Sequence, residues 1–186
     1  MFAANFLHKR RRMKNTLLHS RRILFRNFTE EDKNKDLEIF AHKKLEYFTE
    51  EPIEDADLFI DKIIEAYENE KDFYFYHLVK VGQGKSLGMA KVDIDGKNAR
   101  IKVLINESVK NRGYGTEALE TLIHEVFTEG LASRVEVLAQ KDNGAWIEVI
   151  KKSHLEKYHE DEDYIYYQMT NLDYMKYFAI FGEIDI

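Results

Sequence analysis

Three consecutive strand-like runs, Asp72 to Val81, Ser86 to Asp95 and Ala99 to Ile105, stand directly ahead of two closely spaced glycines, Gly113 and Gly115, and an amphipathic segment. Asp95-Gly96 between alternating runs is a strong hairpin signal, and Gly82-Gln83-Gly84 supplies the turn before it, so the three runs read as an antiparallel meander. Beyond the glycines, Ala118, Leu119, Leu122, Ile123, Val126 and Phe127 recur three and four residues apart and share one helical face, with Gly130 placed to end the helix. A meander that feeds such a helix must bury the helix's apolar stripe against the sheet. That commits the chain to an α/β layout.

The flanking segments extend this layout. Arg22 to Phe28 reads as a strand, and Thr29 followed by Asp32 has the Thr-x-x-acid form of a helix start, predicting a helix to about Lys44. From Ile53 a second helix is expected, since Ala56, Phe59, Ile60, Ile63, Ile64 and Tyr67 fall on one face. Downstream come a strand from Arg134 to Leu138, a helix from Asn143 to Lys152, and one or two strands around Asp163 to Met169. The order β-α-α-β-β-β-α-β-α-β-β describes one mixed central sheet flanked by helices. We therefore expect one domain over residues 22–172, a basic leader over 1–21 and an apolar tail over 173–186.

Composition narrows the function classes. The chain of 186 residues has no cysteine, which removes disulfides, zinc-thiolate sites and thiolate nucleophiles and fits a reducing, cytoplasmic setting. No apolar run approaches the roughly 20 residues of a membrane span. The net charge of -6 is uneven: residues 1–22 hold seven Lys/Arg and no acid, leaving 21 basic against 34 acidic residues, or -13, in the remainder. An acidic body disfavours general nucleic-acid binding and favours cationic partners such as amines. The leader reads as a frayed basic tail or as sequence ahead of a start at Met13. The tail, with Tyr174, Tyr177, Phe178 and Phe181, is apolar enough to dock on the body or on a second copy in a homodimer.

The chemistry is concentrated at Lys110-Asn111-Arg112-Gly113-Tyr114-Gly115-Thr116. A strand end, a glycine loop and a helix N-terminus together present free N–H groups and the positive end of the helix dipole, which suits a pyrophosphate. The alternative is a plain strand-to-helix turn. No P-loop spelling occurs, and a Rossmann fingerprint would follow the first strand of a βαβ unit rather than a meander. No His/Asp/Glu grouping has metal-ligand spacing, and Asp161-Glu162-Asp163 reads as a solvated turn.

The loop resembles the GCN5-related N-acetyltransferases, and within them the branch that holds ribosomal-protein N-terminal acetyltransferases. Their signature Gln/Arg-x-x-Gly-x-Gly/Ala is met here from Lys110 to Gly115, with Lys110 the one departure. Arg134-Val135-Glu136 is similar to the family's Arg-Ile-Glu strand, and Asn143 stands where its helix-opening Asn stands. The resemblance spans about residues 22 to 170. It implies the family fold, acetyl-CoA bound by Ile105, Lys110, Asn111, Arg112, Gly113, Tyr114, Gly115, Thr116 and Asn143, and direct acetyl transfer to a primary amine. The acceptor would be a protein N-terminus, a lysine or a small amine; the other reading is a CoA-binding regulatory module without turnover. Glu136 is the implied candidate for general base. Ile150 stands where relatives often carry a Tyr acid, Trp146 where they carry a small residue, and His154-Leu155 where they carry Gly-Phe. Tyr158, Tyr164, Tyr166 and Tyr167 are expected to pack the sheet and its rim, Glu107 to cap a loop, and His124 to face solvent.

Overall fold

The computed structural model describes residues 18 to 179, apart from 34, 36, 43, 44, 50 to 52 and 70 to 72. Eight strands form one sheet: β1 (Leu18–His19), β2 (Ile23–Arg26), β3 (Phe73–Lys80), β4 (Ser86–Asp95), β5 (Asn98–Ile105), β6 (Arg134–Gln140), β7 (Glu156–Glu160) and β8 (Tyr164–Thr170). Their spatial order is β1-β2-β3-β4-β5-β6-β8-β7. Every pairing is antiparallel except β5 with β6, which the long excursion through a helix makes parallel.

The helices are α1 (Leu45–Thr49), α2 (Ala56–Asn69), α3 (Tyr114–Thr128), α4 (Gly144–Lys152) and α5 (Asn171–Tyr174), the last continuing as a wider turn over Met175–Ala179. The stripe read from the sequence buries α3: Ala118, Leu119, Leu122, Ile123 and Val126 are inaccessible and pack with Ile101, Val135, Val137 and Ile150. A second core on the other side of the sheet joins α1 and α2 to β3 and β4 through Phe48, Ile60, Ile63, Phe75 and Met89. Gly130 ends α3 in the left-handed region at φ +64°, and Asn143 caps α4 by accepting from the Trp146 N–H.

The expected helix from Thr29 to Lys44 is not what forms. The described residues there make two 3-10 turns, Glu30–Asp32 and Glu38–Ala41, before α1 begins. Asp32 does cap the Thr29 N–H, but its carboxylate is also held bidentately by Arg26 at 2.6 and 2.7 Å and is wholly buried, which pins the chain to β2 after one turn. Two strands were not separately located in the sequence: β1, which starts the sheet ahead of the boundary expected at residue 22, and β7, an edge strand exposed along its length. His124 is also placed differently from expectation. It is half-buried, its Nδ1 lies 2.5 Å from the Tyr174 hydroxyl, and Tyr174 packs on Phe127, so the first turn of the tail docks on α3. Residues 1–17 of the leader and 180–186 of the tail lie outside the described residues. Among the described residues no helix is long and apolar enough to cross a membrane.

Asp32 sits under a second buried group. The His77 ring stacks on Phe28, with Nε2 2.9 Å from Ser86 Oγ and Nδ1 3.5 Å from Asp32 Oδ1. Burial, aided by the Arg26 charge and opposed by Asp32, lowers its pKa from 6.5 to about 4. The unfolded chain therefore binds a proton at 77 between those values while the folded protein does not, so the stability that neutral His77 contributes is present above pH 6.5 and drains away as pH falls toward 4. The expected loss is roughly 2–3 kcal/mol, with buried His42 and half-buried His124 adding in the same direction. Urea midpoints measured from pH 7 to 4.5 should fall, and His77→Gln should flatten most of that fall; a flat wild-type profile contradicts the assignment.

Candidate active site

The parallel pair β5 and β6 is joined for only three residue pairs, Asn98↔Arg134, Ala99↔Val135 and Arg100↔Glu136. Beyond Arg100 and Glu136 the strands part, although β5 stays paired to β4 as far as Gly88↔Ile105 and β6 to β8 as far as Gln140↔Tyr164. Two strand edges therefore face one another across a gap, each with backbone groups that need partners. One is met from within: the Trp146 indole N–H donates to the Leu138 carbonyl at 3.0 Å. The gap is a cleft of about 870 Å³, walled by β5, β6, α3 and α4, with His42 and Phe48 from the α1 side and Tyr164 and Tyr166 from β8.

At the upper end of β5 the chain leaves the sheet through Asn106, which is buried, donates its N–H to the Leu87 carbonyl at 2.8 Å and donates Nδ2 to the Ser86 carbonyl at 3.2 Å. A turn over Glu107–Val109 follows, then the glycine loop. Asn111 at φ +59° and Gly113 at φ +80° are both left-handed, and alternation of handedness of this kind points successive N–H groups into an anion-sized hollow. Gly113 is the N-cap of α3 and has no side chain with which to cap, so the N–H groups of the first turn are left to a ligand or water.

The one acid in that turn is diverted. Glu117 accepts from Ser20 Oγ at 2.7 Å, from the Arg22 N–H at 2.8 Å and from Arg22 Nε at 2.6 Å, while Arg22 also donates to the Arg112 carbonyl and lies over the Tyr114 ring at 4.6 Å. Arg22 thus neutralises a carboxylate that would repel an anion and braces the loop from behind. The two glycines differ. A Cβ on Gly115 would make ordinary contacts with Val149 and Ile105, whereas Gly113 combines a left-handed backbone with Arg22 Nη2 at 3.3 Å from where a Cβ would stand.

Of the residues singled out in the sequence, Ile105, Lys110, Asn111, Gly113, Tyr114, Gly115, Thr116 and Asn143 line this one cleft. Arg112 does not; its carbonyl is turned to Arg22. Glu136 lies below the cleft at the point of divergence. Its Oε1 is held by Arg100 at 2.7 and 2.8 Å and its Oε2 accepts from the Tyr158 hydroxyl, whose pKa burial first, and that contact second, push up to about 12. Ile150 is wholly buried in the core, so the helix position that often carries a Tyr acid reaches no part of the cleft.

No motif in the sequence marks His42. It follows the turn Glu38–Ala41, its side chain is 2% exposed, and it lines the cleft beside Ile105 and Lys110. Burial first, and the Lys110 charge second, hold its pKa below 6.5 against the opposing pull of Glu107, Glu38 and a hydrogen bond to the Ile105 backbone. Among the described residues no three His, Asp or Glu side chains gather in metal-binding geometry.

The sequence profile of an acetyltransferase (GNAT) domain matches residues 22–156. No curated protein matches the chain significantly. Solved structures with the same fold include a GNAT-family acetyltransferase from Bacillus anthracis (16% identity, 84% of this chain and 99% of that one, TM-score 0.71) and a ribosomal-protein-S5-alanine acetyltransferase from Vibrio fischeri (13%, 86% and 98%, 0.68). A nucleotide-linked-sugar GNAT also superposes (16%, 90% and 97%, 0.72).

Proposed function

Since the chain belongs to the GNAT acetyltransferase family and is an acetyl-CoA-dependent acyltransferase, we propose that its acceptor is a primary amine, with a protein N-terminus ahead of lysines and small amines. The observation that carries this reading is the cleft between the parted strands, whose lining joins the glycine loop and the end of β5 to Phe48, Tyr164 and Tyr166. In the proposed mode the pyrophosphate of acetyl-CoA lies on the N–H groups of residues 111 to 116, with Lys110 and Asn143 at its flanks, and the pantetheine arm follows the gap between β5 and β6. The thioester carbonyl then meets backbone N–H groups near Ile105, which stabilise the oxyanion as it forms.

Acid–base chemistry favours an α-amine. At pH 7 roughly 10% of an N-terminal amine is already neutral, against less than ~0.1% of a lysine side chain, so a site with modest base strength serves the former far better. The superposable ribosomal-protein-S5-alanine enzyme is consistent with this choice. A panel of acceptors tests it: peptides with free N-termini, N-terminally blocked lysine peptides and polyamines, each scored by release of the CoA thiol. Free N-termini should be turned over fastest. Thiol release that no amine accelerates, in a protein that binds CoA, overturns the proposal.

A further inference from the structure

Trp146 is the one tryptophan of the chain, and it lines the gap between the parted strands. We infer that Trp146 positions the donor: by holding the Leu138 carbonyl it leaves β5 as the strand that accepts from the amide N–H groups of the pantetheine arm. The inference rests on the reading above that this arm lies between β5 and β6.

Strand pairing decides which backbone groups face the gap. The Asn106 N–H donates to the Leu87 carbonyl at 2.8 Å, beside the pair Gly88↔Ile105, so Asn106, Leu104 and Lys102 turn their backbone groups to β4. Alternation then turns Ile101, Val103 and Ile105 to the gap. On β6 the Lys141 N–H donates to the Asp163 carbonyl at 3.0 Å, toward β8, which turns Leu138 and Gln140 to the gap.

The carbonyls of the two edges are not equivalent. Leu138 accepts from the Trp146 indole N–H at 3.0 Å and Gln140 from the Asn143 N–H at 2.9 Å, so both gap carbonyls of β6 are taken. Ile105 also accepts, from the His42 ring, a contact that favours the charged imidazole and therefore goes to the carbonyl. The ladder between β5 and β6 ends at Arg100↔Glu136, short of Ile101 and Val103. Among the described residues, the backbone carbonyls left for an amide N–H in the gap are those of Ile101 and Val103, both on β5. An arm bonded to them runs along β5 and brings the thioester carbonyl to N–H groups of the same strand.

Trp146 is held firmly enough to impose this. Its backbone N–H donates to Asn143 Oδ1 at 3.4 Å in the first turn of α4, its ring packs on the margin of the core, and its indole N–H is bonded to β6. A side chain fixed at these three points keeps the Leu138 carbonyl occupied when a ligand enters. A residue without the N–H would open that carbonyl and offer the arm a second edge, dividing it between two placements of the thioester.

The test uses isotopically labelled full-length protein, in which one tryptophan gives one indole N–H signal. Hydrogen exchange is followed by NMR in the free protein, with saturating CoA, and with 3′-phospho-ADP, which is CoA without the pantetheine arm. CoA should slow exchange of the Val103 N–H and 3′-phospho-ADP should not, while the indole N–H exchanges no faster in the CoA complex than in the free protein. Trp146→Phe keeps an aromatic ring and removes the N–H. Its kcat with acetyl-CoA and an amine that the wild type acetylates should fall about tenfold, with the Kd for CoA within about threefold of wild type. Faster indole exchange in the CoA complex overturns the role of Trp146, and this readout, made on the wild type, does not depend on how the variant folds. A Trp146→Phe enzyme that loses neither kcat nor affinity, or loses both equally, overturns it too. CoA that binds without slowing Val103 exchange overturns the placement of the arm as well. The exchange readouts need no acceptor, so a failure of amine acetylation is told apart from a failure of this inference.

Discussion

Gly88→Ala is expected to cost roughly 4–5 kcal/mol and to lower the melting temperature by about 10 °C or more. Gly88 adopts φ +149° in β4, and a Cβ built there would stand 2.0 Å from the Leu104 carbonyl oxygen and 3.0 Å from the Ile105 Cα. Neither atom can yield, because both belong to the backbone of β5 in register with β4 as far as Gly88↔Ile105. A methyl group therefore forces β5 away from β4 at the point where β5 ends and the loop begins. The loss should exceed that of a typical core substitution, since backbone strain and overpacking act together. It should also be visible in ligand binding, because Asn106, which directs the chain into the glycine loop, hangs from Leu87 and Ser86 on the same strand. Thermal and urea unfolding of the variant measure the effect; a melting temperature within about 2 °C of wild type would show that the sheet tolerates the methyl.

Gly88 also shows which parts of this fold could be read in advance. The meander, the α3 stripe, the Asn143 cap and the Gly130 stop were legible because each is a local signal: alternation, three- and four-residue spacing, and turn chemistry within a few positions. The loop was legible as a strand-to-helix turn because its left-handed N-cap, at φ +80°, calls for a glycine at 113. What escaped depends on residues far apart in the chain. Thr29 and Asp32 spell a helix start, but Arg26 and buried His77 claim the same carboxylate, and the helix stops after one turn. Arg22 and Glu117, 95 positions apart, meet behind the loop, and nothing near either one announces it. His42 carries no motif at all; the Glu38 to Ser108 contacts, 70 positions apart, tie its turn to the chain that leaves β5. Glu136 was readable as a strand acid, but its capture by Arg100 and Tyr158 follows from sheet pairing across β6, β8 and β7.

Gly113→Asp is expected to raise the Kd for CoA by at least ~100-fold, or about 2.7 kcal/mol. Three costs combine. A non-glycine residue at φ +80° is strained, although aspartate tolerates this region better than most. Its Cβ would stand 3.3 Å from Arg22 Nη2, so the brace that holds Glu117 and the Arg112 carbonyl must shift. The new carboxylate would lie at the α3 N-terminus, where it competes with a phosphate for the first-turn N–H groups and repels it as a like charge. It also offers Arg22 a second anion, which would release Glu117 toward the loop and place two negative charges where the wild type presents none unpaired. Gly113→Ala separates these contributions, since it keeps the strain and the contact with Arg22 but adds no charge; about a tenfold weakening is expected, nearly independent of salt. For Gly113→Asp the weakening should shrink as salt rises, because part of it is Coulombic. Calorimetric titration of CoA into the three proteins at low and high salt reads all of these values. Equal affinities in wild type and Gly113→Asp, with both proteins folded, would place the pyrophosphate elsewhere than on residues 110 to 116.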